Sequence, residues 1–402
     1  MNMSPKVIVI GIGFTSRLGM IRAVAETGAE IDVIVVGHGR FKPVDCYSKY
    51  VHRYYYVKGN DKDRVLQILQ EQCAKPNRKG ILIPINDFAA TVVDQNIDTL
   101  KEHFLFPHIH GRQGAVTEWM NKEKQKEVAK KVGLNVAKSV NVELKDGHYR
   151  LPEGINYPCF TKTRAYTKGY KFTLNRCDDE AALRKVLDRL AGWDRPLTIM
   201  VEDYKEILTE YAVVGFSDGK NVVIPGIIEI LVMAKGDDKG VACQGKIMPN
   251  KGFEDLVEKF GKLILEIGFV GLFDIDFYLS EDEYYFGEIN LRVGGSATAV
   301  LKMGVNLPAM FVRSLLGVSF DDMKKEVDSE AVYVNERICL DNWYQGYMSR
   351  RDLDKLLTTS NISFVEDEAD MKPEMAFKTA LRMMRVKRMI KTFLNKKFLN
   401  KI

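Results

Sequence analysis

Hydrophobic positions fall in short unbroken runs separated by stretches with a helical period, and that alternation predicts an α/β protein. Lys6–Ile12 reads as a buried strand, Ser16–Thr27 as a helix and Ile31–Val36 as a second buried strand. A β-α-β start of this kind implies a parallel sheet covered on both faces. Asp61–Cys73 reads as a helix and Gly80–Ile85 as a third strand, ending in Pro84-Ile85-Asn86-Asp87. Farther on, Asn121–Val132 is a charged helix with Val128 and Val132 one turn apart. Tyr157–Thr163 and Tyr170–Asn175 read as strands around the loop Arg164–Gly169. Asp179–Leu190 reads as a helix with an acidic first turn, as the helix dipole favours, and Leu197–Glu202 as a strand. Glu254–Ile267 is helical, and Ala297–Leu315 is mainly so.

The most informative pattern has period two. In Phe273-Asp274-Ile275-Asp276-Phe277 and in Gly287-Glu288-Ile289-Asn290-Leu291-Arg292, apolar and polar residues alternate, with the acidic turn Ser280–Glu283 between them. This predicts a β-hairpin whose buried face carries Phe273, Ile275, Phe277, Gly287, Ile289 and Leu291. A three-residue loop, Glu281–Glu283, would set Asp276 opposite Glu288 and turn Asp274, Asp276, Glu288, Asn290 and Arg292 to one side. Three carboxylates on adjacent strands repel unless a cation lies between them. Hard oxygen ligands suit magnesium, which binds phosphates together with one or two carboxylates; manganese is the alternative. Arg292 adds a fork suited to phosphate or carboxylate.

Asp276-Phe277 followed by Gly287-Glu288-Ile289-Asn290-Leu291-Arg292 resembles the magnesium signature of the ATP-grasp superfamily, an acid followed by E-x-N-x-R. The resemblance runs from about Pro5 to Leu316. Ser48-Lys49-Tyr50-Val51 and Ile81–Asp87 add a likeness to carbamoyl-phosphate-synthase-like and D-aspartate-ligase-like proteins. It implies a Rossmann-like pre-ATP-grasp α/β domain over 1–112 and an ATP-grasp domain of α+β type over 113–317, with a mobile lid at about 135–205. A helical extension over 318–402 follows. The resemblance further implies ATP and magnesium as cofactors, with Asp276, Glu288 and Asn290 as metal ligands and Arg292 contacting the transferred phosphoryl group. Lys246 would supply a second cation to the β- and γ-phosphates. Around the nucleotide it implies Lys122 at the start of the module, Lys162 on the α-phosphate and adenine, and Lys168 in the phosphate flap. Glu202 and Tyr204 would lie at the adenine hinge and Glu210 on the ribose. Asp274 is an extra acid with no counterpart role, and a structural salt bridge is its expected task.

The glycines Gly11 and Gly13 also invite a dinucleotide reading. Ser16 stands where the third glycine belongs, however, and Gly37-His38-Gly39 replaces the ribose-binding acid, which argues against NAD.

Composition narrows the setting. The chain has 402 residues, 46% hydrophobic and 28% charged, enough for two or three domains with their own cores. No apolar run reaches 18 residues, and Met1–Lys6 leads directly into a strand without a signal-peptide layout. Six scattered cysteines form no C-x-x-C pair, so a reduced, cytoplasmic protein without a zinc site is expected. His108 and His110 lack ligand neighbours and read as ordinary strand residues. Residues 371–402 hold ten Lys and Arg against Glu374 alone, so the tail carries +9 of a total of +5 and the remainder is acidic. That distribution does not suit a nucleic-acid binder. From Met375 to Ile402 the apolar residues recur at roughly helical spacing among Lys and Arg. Such a basic amphipathic helix packs on its own protein, on a second copy in a homodimer, or peripherally on an anionic membrane.

The implied chemistry is ligation: a carboxylate attacks ATP to give an acyl phosphate, and an amine displaces phosphate. Both substrates are small molecules, with an amino-acid-like character expected. The alternatives are a carbamoylating or carboxylating enzyme that uses bicarbonate, and a non-catalytic nucleotide-binding protein.

Overall fold

The computed structural model describes residues 4–38, 42–75, 78–163, 173–192, 196–236, 240–383 and 386. Lys6–Gly11 is buried along its whole length and pairs in parallel with Glu30–Gly37 on one side and Gly80–Pro84 on the other. Val51–Lys58 and Phe104–Leu105 add the outer strands, completing a five-stranded parallel sheet. The expected strands hold to within two residues. Val51–Lys58 was not anticipated, because an outer strand with mostly exposed side chains carries no apolar run. The helix expected over Asp61–Cys73 is α-helical at Lys62–Ile68 and widens to a π turn at Leu69–Cys73.

A second sheet has nine strands, with Glu283–Asn290, Phe269–Ser280, Thr209–Asp218, Ile227–Met233 and Ala242–Met248 side by side. It continues past residue 317: Ala331–Val334 pairs with Ala242–Met248, and Ile362–Ser363 pairs with Ala331–Val334. A smaller four-stranded antiparallel sheet is built from Ser139–Leu144, Leu197–Asp203, Cys159–Thr163 and Asn175–Cys177. It is backed by the helix Glu180–Ala191, whose Leu183, Leu187 and Leu190 form its core. The strand expected at Tyr170–Asn175 is found at Asn175–Cys177, and residues 164–172, including Lys168, lie outside the described residues. The helical stretch Ala297–Leu315 is two helices, Ala297–Lys302 and Leu307–Leu315.

One hydrophobic cluster joins the two larger sheets. Val7, Val9 and Val33 of the parallel sheet share it with Val214, Phe216 and Ile247 of the large one. Helices Phe14–Ala25, Ala297–Lys302 and Leu307–Leu315 fill the space between, contributing Ile21, Val300 and Phe311 among others. The C-terminal part is bolted to the same interface. Arg22, 6% exposed, donates to Asp370 Oδ2 at 3.2 Å and to the backbone oxygens of Phe364, Val365 and Asp370. Asp370 is itself 2% exposed, so Arg22→Leu strands a buried carboxylate and three carbonyls. The variant is expected to lose about 3 kcal/mol of stability, read as a lowered urea midpoint. An unchanged midpoint would show that the contact is dispensable.

Residues 371–383 are helical. Phe377 is buried and stacks on Phe14 at 5.5 Å, and Leu381 packs against the same C-terminal cluster. The first turns of the expected amphipathic helix therefore pack on the protein itself. Residues 387–402 lie outside the described residues, and among those described no helix is long and apolar enough to cross a membrane.

Candidate active site

The hairpin forms with Asp276 opposite Glu288 and Asp274 opposite Asn290. The turn, however, has two residues, Glu281 and Asp282, both in the left-handed region (φ 50° and 66°), with Ser280 paired to Glu283. The register is recovered by a bulge at Gly287, so that Phe286 rather than Gly287 occupies the buried position opposite Phe277. A Cβ at Gly287 would lie 2.9 Å from the Asp276 backbone oxygen, which leaves glycine as the fitting residue at this bulge.

Asp274, Asp276, Gly287, Glu288, Asn290 and Arg292 line one cavity of about 430 Å³, together with Lys162 and Glu210. Burial pushes Asp276 well above the usual carboxylate range, and the neighbouring Asp274 and Glu288 add to the shift. Glu288 is also raised by burial, but the Lys122 ammonium on its Oε2, with Lys162 and Arg292, outweighs this and holds it below its usual value. Lys122 thus stands against the carboxylate as its counter-ion. Asn290 Nδ2 donates to Asp276 Oδ2 at 3.4 Å, leaving its carbonyl to accept from Arg292. An acid pair on adjacent strands, one member uncompensated, with a neutral oxygen beside it, is a donor set that fits a hard divalent cation.

Arg292 is held from both large sheets. Its Nε donates to Asp87 Oδ1 at 2.9 Å, its Nη2 to Asn290 Oδ1 at 3.2 Å, and its Nη1 lies 3.7 Å from Asp274 Oδ2. Asp274 therefore makes the salt bridge expected of it, and its Oδ1 is buried without a hydrogen-bond partner among the described residues. Asp87, on the helix Asp87–Asp94 that follows the strand Gly80–Pro84, was not singled out in the sequence. Its place just past the carboxyl end of a parallel strand, where open α/β sheets bind ligands, was the available signal.

Lys162 and Lys126 both meet the carboxylate of Glu202, Lys162 at 2.6 Å. Burial lowers Lys126 to about 7, helped by Lys130 and Lys122, and takes Lys162 well below its usual value, helped by Lys126 and Lys122. An anion entering beside them would supply charge compensation that burial denies these ammoniums. Lys126 was missed because one lysine among many on a charged helix carries no distinguishing pattern. Its helix, Lys122–Lys131, is pinned by Gln125, whose side-chain amide takes Ile289 N–H and donates to Ile289 O at 3.1 and 2.9 Å. This sets Lys122 over Glu288.

Two expected contacts are corrected. Lys246 pairs across the sheet with Glu229, which in turn faces Tyr211 and Phe277. Strand parity therefore places it on the face opposite Asp276, where its Nζ meets Glu229 at 3.1 Å and Glu330 at 3.6 Å. Tyr204 is absent from the cavity lining: the Arg176 guanidinium lies 4.4 Å over its ring, and its N–H donates to Pro158 O. Glu210 does line the cavity, and burial raises its pKa.

Lys162→Ala is expected to weaken ATP binding about tenfold while changing turnover at saturation little, because its partner charge is present in ground and transition states alike. Calorimetry that finds ATP affinity unchanged would reduce this lysine to a strand charge.

A parallel sheet, a large mixed sheet bearing the acids and a small antiparallel sheet with Lys162 and Glu202 together define an ATP-grasp fold. The chain belongs to the ATP-grasp superfamily, through the family described as "Carbamoyl-phosphate synthase L chain, ATP binding domain", which matches residues 121–321, half of its length. It is 23% identical over 267 residues to the carbamoyl phosphate synthase large chain of Gemmatimonas aurantiaca, covering 63% of this chain and 24% of that one. It is 28% identical over 213 residues to the D-alanine–D-alanine ligase of Fusobacterium nucleatum, covering 51% of this chain and 64% of that one. The chain thus spans about a quarter of the carbamoyl phosphate synthase large chain and under two thirds of the D-alanine–D-alanine ligase. Among solved structures, N5-carboxyaminoimidazole synthetase from Staphylococcus aureus, complexed with ADP, superposes with a TM-score of 0.62 at 16% identity over 87% of both chains. L-amino acid ligase from Bacillus licheniformis superposes with 0.60 at 14% identity, over 83% of this chain and 80% of that one.

Proposed function

We propose that the chain is an ATP- and magnesium-dependent ligase that activates a carboxylate as an acyl phosphate and joins it to an amine, releasing ADP and phosphate. The observation that carries this reading is the convergence of Asp276, Glu288, Asn290 and Arg292 with Lys162 and Glu210 on one cavity. Asp276, Glu288 and Asn290 would hold the metal, which supplies charge neutralisation along the triphosphate when bound.

The substrate carboxylate oxygen attacks the γ-phosphorus, and the bond from that phosphorus to the β,γ-bridging oxygen breaks with its electrons leaving on ADP. Arg292, locked by Asp87 and Asn290, offsets charge on the phosphoryl oxygens without reorganising. The neutral amine then attacks the acyl carbon, phosphate departs with the C–O electron pair, and the nitrogen gives up its proton. The small antiparallel sheet would shield this intermediate from water by closing over the cavity. Kinship with a D-alanine–D-alanine ligase, and a fold shared with an L-amino acid ligase, support an amine acceptor.

A screen of carboxylic acids and amines for magnesium- and ATP-dependent ADP release tests the reading. Release that requires a carboxylate and an amine together supports it. Release driven by bicarbonate without an amine would assign the site to a carboxylating or carbamoylating enzyme instead.

A further inference from the structure

The helical residues 371–383 have two apolar sides. One is satisfied by the protein: Phe377 stacks on Phe14, and Phe377 and Leu381 share a cluster with Leu340, Trp343 and Leu353. At about 3.6 residues per turn, Met371, Met375 and Met383 fall on the opposite side, and Val386 lies one turn past Met383 in the same row. These four side chains are between 49% and 62% exposed. Apolar residues scattered singly on a surface need no explanation, but a row of four along one helix face does. Lys372, Lys378 and Arg382 are exposed around the row, and Lys378 is paired with Glu374, the one acid after Asp370. Residues 387–402 lie outside the described residues. Their sequence continues the same period with Met389, Ile390 and Phe393, and adds six Lys and Arg without an acid.

We infer that the segment 371–402 docks this protein on an anionic phospholipid surface, with the row that starts at Met371 turned to the acyl chains and the Lys and Arg side chains at the headgroups. The inference is independent of the ligase reading. Two observations fix the occupant. The contact of Phe377 with Phe14 holds the inner side against the protein, so the outer row points away from it and needs a partner from outside. Charge then selects that partner. A second copy seated on the same row about a two-fold axis would set one segment of ten Lys and Arg against another. An anionic surface instead attracts every one of these cations, and the attraction adds to the burial of the methionines. The contact is peripheral, because among the described residues no helix is long and apolar enough to cross a bilayer.

Flotation of the full chain with vesicles tests this. The protein is expected to rise with vesicles of equal parts phosphatidylglycerol and phosphatidylcholine, and to stay in solution with phosphatidylcholine alone. Raising salt from about 0.1 M to about 1 M should release most of it, because the attraction is screened. Met375→Ser, Met383→Ser and Val386→Ser together should weaken binding at least about tenfold. Their side chains lie outside the hydrophobic clusters, so the urea midpoint should stay at the wild-type value. A chain ending at Val386 keeps the turns packed on Phe14 and should lose binding likewise. Full-length protein that stays in solution with anionic vesicles would overturn the inference, as would equal binding to neutral ones. So would a triple variant or a shortened chain that floats as the parent does. Sedimentation that finds a dimer abolished by the triple variant, without vesicle binding, would overturn it by assigning the row to a second copy.

Discussion

Glu288→Gln and Asn290→Ala are expected to abolish ATP-dependent phosphate release, each by about 1,000-fold, which corresponds to roughly 4 kcal/mol of lost transition-state stabilisation. Each removes one oxygen from the face that Asp276 shares, where burial and the neighbouring acids push the Asp276 carboxyl well above the usual carboxylate range and so make a cation necessary for all the oxygens to serve as ligands. Glu288→Gln also releases Lys122, which is then left without its carboxylate partner. Neither side chain belongs to the hydrophobic clusters, so both purified variants should unfold at the wild-type midpoint. Near-normal phosphate release by both would remove the metal assignment.

The second large effect is expected at Arg292. Arg292→Met should lower turnover by a factor of about 300, in the range seen when one donor to a developing oxyanion is removed. Arg292→Lys should recover little, because the guanidinium spans Asp87, Asn290 and Val293 O with separate nitrogens, and an ammonium cannot hold all three in that geometry. Asp87→Asn isolates positioning from charge. It should slow turnover about tenfold with ATP affinity unchanged, since Asp87 acts through the arginine. A loss of ATP affinity equal to the loss of turnover would mean that Asp87 serves binding instead.

Much of this site was legible because its signal is local. The hairpin acids repeat every second residue, and that repeat placed Asp276, Glu288, Asn290 and Arg292 on one face. The register came out right through two compensating departures: the turn is one residue shorter than expected, and Gly287 supplies a bulge that restores the pairing. The parallel sheet was readable where its strands are fully buried and unreadable at Val51–Lys58; in the large sheet the two- and four-residue strands Ile362–Ser363 and Ala331–Val334 were too short to leave a pattern. Lys246 failed on parity, because its position relative to Asp276 depends on two intervening strands. Asp87 lies 205 residues from Arg292 in sequence, and no local pattern joins them. Lys126 and Gln125 owe their importance to what the helix packs against rather than to the helix itself.

The large sheet carries a lesson for dissecting this protein. The family match ends at residue 321, yet Ala242–Met248 finds its outer neighbour only at Ala331–Val334, which is itself flanked by Ile362–Ser363. A fragment cut at the family boundary would leave Gln244, Gly245, Lys246 and Ile247 with one row of backbone amides and carbonyls unpaired. Such an open rim invites strand exchange between molecules. Recombinant pieces ending near 321 should therefore form soluble aggregates under conditions in which the longer chain stays dispersed.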